Sequence, residues 1–383
     1  MIYLDNNAST ELDSEVRAAV EEASRLPGNP SSLHAEGRRA RRAIEEARDA
    51  VAALVGGRPE EIFFTSGGTE SNALAILGTV ASRGRIVLSG AEHPSVREAV
   101  ERLRVEKGVE VVSVNPEPTG ALDAERVLAA TLPGTSMVTV MAANNEYGGV
   151  FPLARIIPEA RSRGAIFHTD AVQAAGRIPL DVQGWDVDLL SVSAHKIHGP
   201  KGVGALFVRK GLAIHSLAPG GGQERRVRPG TENLSGIVGF GVAARLARQR
   251  LSENSAIGQL RDRFERKILE RVPGTRIIGA AGPRLSNTSS MLFADVSGEA
   301  LAARLDLEGI AVSVGSACSS GSTRPSPVIL SLGIDPSAAR GVLRFSLSRR
   351  TTEEEIARVV NLLPGLVAEA RLARSPAARA VAV

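Results

Sequence analysis

Apolar and polar positions along this chain change rhythm at about residue 250. From about residue 60 to 210, short apolar runs alternate with stretches in which apolar residues recur at helical spacing. The runs are RIVLSG (85–90), VEVVSVN (109–115), SMVTVMA (136–142), AIFHTD (165–170), VDLLSVS (187–193) and GALFVR (204–209). Several are continuous instead of alternating, which predicts strands covered on both faces. Between them lie helix-like segments such as PSVREAVERLRVEKG and LARIIPEARSRG. This alternation predicts an α/β fold with a mainly parallel central sheet between helices. Further on, RLSENSAIGQLRDRFERKILERV reads as one long polar helix. Short strands in TRIIGA, NTSSMLFAD, GIAVSVG and VLRFSLS then alternate with helices in GEALAARLDLEG and TTEEEIARVVNLLPGLVAEARLA. That mixture predicts a smaller α+β domain. A chain of 383 residues exceeds the size at which one core stops growing. We expect residues 13–250 to form a large α/β domain, and residues 1–12 with 251–383 a small one.

Composition narrows the partners. The net charge of +4 is small for this length, and aromatic residues make up only 3%. The arginine cluster GRRARR (37–42) is followed by Glu45 and Glu46, four positions on from Arg41 and Arg42. This reads as a solvated helix face with intrahelical pairs, and few aromatics are present to stack on bases. No nucleic-acid partner is expected. No stretch approaches the roughly 20 apolar residues that span a bilayer, and MIYLDNNAST has no basic segment leading into an apolar run. A cytoplasmic location without membrane contact is the expectation. One cysteine, Cys318, excludes an intrachain disulfide and any multi-cysteine metal site, so no metal is expected.

The candidate chemistry begins with lysine. Of 46 Lys+Arg residues only Lys107, Lys196, Lys201, Lys210 and Lys267 are lysines. Lys196 ends the apolar run VDLLSVS, between two histidines and ahead of a Gly/Pro turn, where an amine can be desolvated and form a Schiff base. Asp170 ends another apolar strand. It could cap the following helix, or it could hold a protonated ring nitrogen. His93 and Asn145 also follow strands, so four strand ends carry His, Asn, Asp and Lys toward one crevice. The turn IFFTSGGTES, with Gly68 and Thr69 opening a helix, suits an anion but is also an ordinary capped turn. GGGQERRVRPGTEN (220–233) is either a flexible surface loop or a second anion grip. Arg344 lies within an apolar strand and needs an anion, from a substrate carboxylate or from a structural Asp or Glu. Cys318 lies in a Gly/Ser-rich stretch, as a reactive thiol or a small apolar residue.

Together these residues closely resemble the pyridoxal-phosphate-dependent cysteine desulfurases, within the class V aminotransferase-like enzymes of fold type I. The resemblance rests on YLDNNAST, GNPSSLH, FTSGGTESNALA, AEH, NNEYG, HTDAVQ, SAHKIHGPKG, GGGQE, RPGTEN, VSVGSACSSG and RFSLSRRTTEEEI, in that order. It implies pyridoxal 5'-phosphate as cofactor and L-cysteine as substrate. Lys196 would bind the cofactor as a Schiff base, Asp170 would pair with its ring nitrogen, and His93 would stack on the ring and assist proton transfer. Gly68, Thr69, Ser193 and His195 would hold the phosphate. Asn145 and Gln173 would contact the ring hydroxyl side. Thr231 would reach the phosphate of the other subunit, which implies a homodimer. Arg344 would bind the substrate carboxylate, with Asn29 beside it. Cys318 would take the sulfur as a persulfide and pass it to an acceptor protein. The surroundings of Cys318 resemble the group with a longer cysteine loop, linked to iron–sulfur assembly and nitrogenase maturation. Arg324 and Pro327 depart from the family's usual residues. A selenocysteine lyase, or another lyase or aminotransferase of the same fold, is the competing reading.

Overall fold

The computed structural model describes residues 1–80, 84–315 and 325–374. The strands are β1 (Ile2–Tyr3), β2 (Ile62–Thr65), β3 (Arg85–Ser89), β4 (Glu110–Val114), β5 (Thr135–Thr139), β6 (Ile166–Asp170), β7 (Leu189–Ser193) and β8 (Gly204–Val208). They continue with β9 (Thr275–Ile277), β10 (Thr288–Phe293), β11 (Ile310–Ala311) and β12 (Val342–Ser346). The helices that matter most below are α1 (Ser14–Ser24), α2 (Ala35–Val55), α3 (Gly68–Leu77), α4 (Pro94–Lys107), α5 (Ala124–Ala130), α6 (Leu153–Ser162) and α7 (Leu234–Gln249). They are followed by α8 (Asn254–Arg271), α9 (Gly298–Leu307), α10 (Pro327–Ser331), α11 (Pro336–Ala339) and α12 (Glu353–Arg374).

Seven strands form one sheet in the order β2-β8-β7-β6-β5-β3-β4, in which β8 alone runs against its neighbours. The continuous apolar runs are explained by what covers them. Val87, Val138, Phe167, Leu190 and Phe207 join a core with α2, α5, α6 and α7. Ile86, Met137, Leu189 and Leu206 face the opposite way, into a core with α3 and α4. Burial on both faces removes the polar alternation that a half-exposed strand would show. The arginine-rich start of α2 carries one of the two expected pairs, Arg41 with Glu45 at 3.3 Å, and a further pair of Arg39 with Glu36 at 3.2 Å.

A third core gathers Ile2 and Leu4 with α8, α9, α12 and the antiparallel sheet β12-β10-β9. The start of the chain is therefore packed among residues beyond 250. Two expectations are corrected in detail. The long polar helix is broken, with a 3-10 turn at Leu251–Glu253 before α8. GIAVSVG yields only the two-residue β11, paired in parallel with β1, because the chain then leaves to bridge Ser313 with Arg344.

Close backbone approach fixes where α3 begins. A Cβ on Gly204 of β8 would sit 2.7 Å from Gly67 Cα. Glycine at 204 lets the turn before α3 lie directly against the sheet, which aims the helix start across the strand ends.

Candidate active site

In a parallel sheet the carboxyl strand ends point to one side, and the chain leaving them builds a crevice there. β6 stops at Asp170, β7 at Ser193, and the next turn is the 3-10 segment Ala194–Lys196. Past β5 the chain reaches Asn145, past β3 it reaches His93, and β2 leads through Gly67 to Gly68. A cleft of about 100 Å³ opens there. Gly68, Thr69, His93, Asn145 and Asp170 line it, together with Gln173, Ser193, Lys196 and Arg344. Nine of the residues singled out from sequence thus share one cavity.

The other described candidates lie outside its lining. His195 follows Ser193 but lies beside Ser9, with its Nδ1 3.3 Å from the Ser9 hydroxyl. Asn29 is exposed and closes a local turn by accepting from the Ser31 backbone N–H at 2.9 Å. Thr231 is exposed on the 220–233 segment, outside the cleft of its own chain. That segment is not merely a surface loop, because its Glu224 is buried and bonded to Arg48. Cys318 lies outside the described residues.

Hydrogen bonds position the cleft residues. Asp170 accepts from Asn72 Nδ2 at 2.7 Å and from the Val172 backbone at 2.9 Å. The same Asn72 nitrogen donates to Ser95 Oγ at 2.9 Å, and Ser95 Oγ lies 2.7 Å from His93 Nδ1. Lys196 Nζ donates to the carbonyls of Asn7 and Ala8 at 2.5 and 2.8 Å. Gln173 also donates to Asn7 O, at 2.9 Å, while Arg177 donates to the Gln173 side chain at 2.8 Å. Arg344 donates to Asn145 O and to Asp5 Oδ1, each at 2.8 Å. Arg344 thus has the structural carboxylate partner that one of its two readings required, and it also lines the cleft.

Burial dominates the electrostatics. It lowers the pKa of His93, opposed by the Asp170 charge and assisted by Lys196 and Arg97. Burial, aided by Lys196, Lys201 and Arg177, pushes His195 down to about 4, so it is neutral at physiological pH. His168, on the strand leading to Asp170, is pushed down to about 3 by burial alone. Its ring nitrogens are met by Thr139 Oγ1 at 2.8 Å and Ser191 Oγ at 3.2 Å. Beside His93, burial raises the carboxyl of Glu92 to about 8.

Sequence reasoning missed Asn72, Ser95, Asn7 and Asp5. Asn72 carried one readable signal, an amide on an otherwise apolar helix face. Asn7 and Asp5 lay within YLDNNAST, and nothing local told that this segment would return beside residue 344.

The class-V aminotransferase family matches the chain over residues 2–359. The chain belongs to this family. Among its relatives, a cysteine desulfurase of Cereibacter sphaeroides is 47% identical over 380 residues, covering 97% of this chain and 96% of the relative. A cysteine desulfurase of Klebsiella pneumoniae is 44% identical over 368 residues, covering 96% and 92%. A solved NifS-like protein from Rickettsia africae superposes with a TM-score of 0.88 at 31% identity, covering 96% of this chain and 99% of that one. A structure described as SspA in complex with cysteine gives 0.80 at 32% identity, covering 92% and 100%. This class-V aminotransferase stands among the cysteine desulfurases, which are pyridoxal-phosphate enzymes of fold type I.

The residues present fit that cofactor. Ser193 Oγ and Asn145 Oδ1 are buried without a hydrogen-bond partner among the described residues, and both belong to the lining of the cleft. Buried polar atoms of this kind are costly unless a ligand satisfies them. Ser193 Oγ is only 3.9 Å from where a Cβ on Gly67 would lie, so a hydroxyl flanks the positive end of α3. An anion would be met there by both.

Proposed function

We propose that this chain is a pyridoxal-phosphate-dependent cysteine desulfurase whose own Cys318 takes the sulfur. In the overall reaction L-cysteine and the Cys318 thiol give L-alanine and a Cys318 persulfide. The sulfur atom moves from carbon to the enzyme sulfur, the proton count is unchanged, and no outside oxidant or reductant is needed. The cofactor supplies an electron-withdrawing ring that stabilises negative charge at the substrate α-carbon. The observation that carries this reading is the meeting of Lys196, Asp170, His93 and Arg344 in one cleft.

Each residue has a task. Lys196 anchors the cofactor through its amine and moves the α-proton. Asp170, aligned by Asn72, holds a proton on the ring nitrogen. Gly68, Thr69, Ser193 and His195 take the phosphate, and Asn145 and Gln173 take the ring hydroxyl side. Arg344 receives the substrate carboxylate, with Asn29 as a further contact. Thr231, exposed on its own chain, serves the phosphate site of a second copy in a homodimer. Residues 13–250 act as the cofactor-binding domain, and residues 1–12 with 251–383 as the domain carrying the cysteine. The persulfide passes to an acceptor protein for iron–sulfur cluster or other sulfur-cofactor assembly in the cytoplasm. No described helix is long and apolar enough to cross a membrane.

Mass spectrometry after adding L-cysteine to the holoenzyme tests the reading. One added sulfur is expected on Cys318, with none on the Cys318→Ser variant. A fully active enzyme whose Cys318 never carries extra sulfur would overturn it.

A further inference from the structure

We infer, on the proposed placement of Gln173 at the ring hydroxyl side of the cofactor, that Arg177 is a positioning residue: it holds the Gln173 amide with its nitrogen, and not its oxygen, toward that hydroxyl. The backbone makes this possible by turning sharply after β6. Gly176 has a φ of 69°, and a Cβ there would lie 3.0 Å from the Ala247 side chain and 3.1 Å from that of Ile197. Glycine lets the turn press between α7 and the residue after Lys196. Arg177 then reaches back to the Gln173 carbonyl at 2.8 Å and to the Lys196 carbonyl at 3.4 Å.

Two one-way partners fix the amide. A guanidinium can only donate, so the Gln173 atom 2.8 Å from Arg177 Nη1 is the side-chain oxygen. The Asn7 carbonyl can only accept, so the Gln173 atom 2.9 Å from it is the amide nitrogen. That nitrogen carries two hydrogens. One goes to Asn7 O, and the other has no acceptor among the described residues. Gln173 lines the cleft, so a donor is left for an oxygen bound there. The guanidinium also draws electron density from Oε1, which makes the remaining N–H a stronger donor.

Stability alone does not account for this arginine. Among the described residues its hydrogen bonds all go to uncharged oxygens, and none goes to a carboxylate. A cation withdrawn from water without an anion is costly. Burial and the charge of Arg344 lower its pKa to about 10, which leaves it charged at physiological pH. His195 and His198, which feel that charge, are pushed down to about 4 and are neutral there. An ionised ring oxygen, met by the Gln173 N–H, would supply the missing negative charge through a single amide.

The test is a pH titration of the visible absorbance of the holoenzyme, which follows the proton on the cofactor–lysine linkage. A hydrogen bond to the ionised ring oxygen favours the unprotonated linkage, so losing that bond raises the midpoint. Gln173→Ala is expected to raise it by about one pH unit, and Arg177→Met by about half a unit. Arg177→Lys, which keeps a charged donor, is expected to recover most of the difference. In the Gln173→Ala background Arg177→Met is expected to add nothing, because the arginine acts through the amide. An unmoved midpoint in Gln173→Ala overturns the inference, even where Arg177→Met does not fold. An Arg177→Met shift that persists in full without the Gln173 amide overturns it too, since a bare charge effect then suffices. An enzyme that transfers no sulfur to Cys318 would sink the proposed reaction and leave the amide orientation standing, so the two failures are distinguishable.

Discussion

Two buried arginines, Arg48 and Arg344, use their guanidinium groups in opposite ways. Arg48 is saturated. It donates to both oxygens of Glu224 at 2.8 and 2.9 Å, to Ile62 O at 2.9 Å and to Glu45 at 3.1 Å. Glu224 also accepts from the Phe64 backbone at 2.8 Å. This pair fastens the 220–233 segment to α2 and β2. It holds Glu224, Arg225 and Arg226 at φ of 42°, 55° and 68°, a left-handed turn that non-glycine residues rarely adopt. Arg344 is more deeply buried, at 1% exposure against 6%, yet it is incompletely satisfied. It has one bond to Asp5 and one to Asn145 O, and its Nε has no partner among the described residues. A buried arginine whose every nitrogen is engaged is a structural clamp. One with a spare donor in a cleft suits the proposed role of receiving a carboxylate.

The largest expected effect comes from breaking the clamp. Glu224→Ala leaves the Arg48 charge buried without its main partner and should cost about 3–5 kcal/mol of stability. Denaturant unfolding measures it, and a loss within error of zero would put Arg48 and Arg344 in the same class. Next, Arg344→Lys keeps the charge but loses the planar fork. We expect kcat/KM for cysteine to fall about 10- to 100-fold, chiefly through KM, with little change in the unfolding midpoint. Wild-type kinetics would show that Arg344 is only a partner for Asp5.

A smaller, graded effect follows from His168, which is satisfied on both ring nitrogens much as Arg48 is. Its folded pKa of about 3 lies below its ordinary value of 6.5. The unfolded chain therefore binds the proton first. The stabilisation is complete above about pH 6.5 and is lost as pH falls toward 3. At pH 5.5 the loss is about 1 kcal/mol, and a His168→Gln variant should show a shallower decline. Equal pH slopes for both proteins would exclude the contribution. The smallest effect is assigned to Arg102→Ala, which breaks an exposed 2.9 Å pair with Glu106. No resolvable change in the unfolding midpoint is expected.

The same contrast explains what could be read from the residues alone. The central sheet was legible because its strands are covered on both faces, so continuous apolar runs marked them. The strand-end residues were legible as one site because parallel strands bring their ends to the same side. Partners remote in sequence were not legible. Glu224 lies 176 positions from Arg48, in a polar segment that looked solvated. Asn72 and Ser95 matter through bond directions that no local pattern encodes. Arg344 announced its need for an anion, but its link to Asp5 spans 339 positions. GIAVSVG promised a longer strand than β11 because the turn toward Arg344 is a tertiary event.

Asn7 joins both ends of the chain at the cleft. Its carbonyl receives Lys196 and Gln173, and its side chain donates to Asn145 O at 3.1 Å and to Thr288 at 2.9 Å. Asp5, two positions earlier, waits for Arg344. During synthesis the first ten residues leave the ribosome early, but Asp5 meets Arg344 only after more than 330 others have followed. The pocket is thus complete only once β12 has been made, and a nascent chain cut between Lys196 and β12 would carry the lysine amine without Arg344.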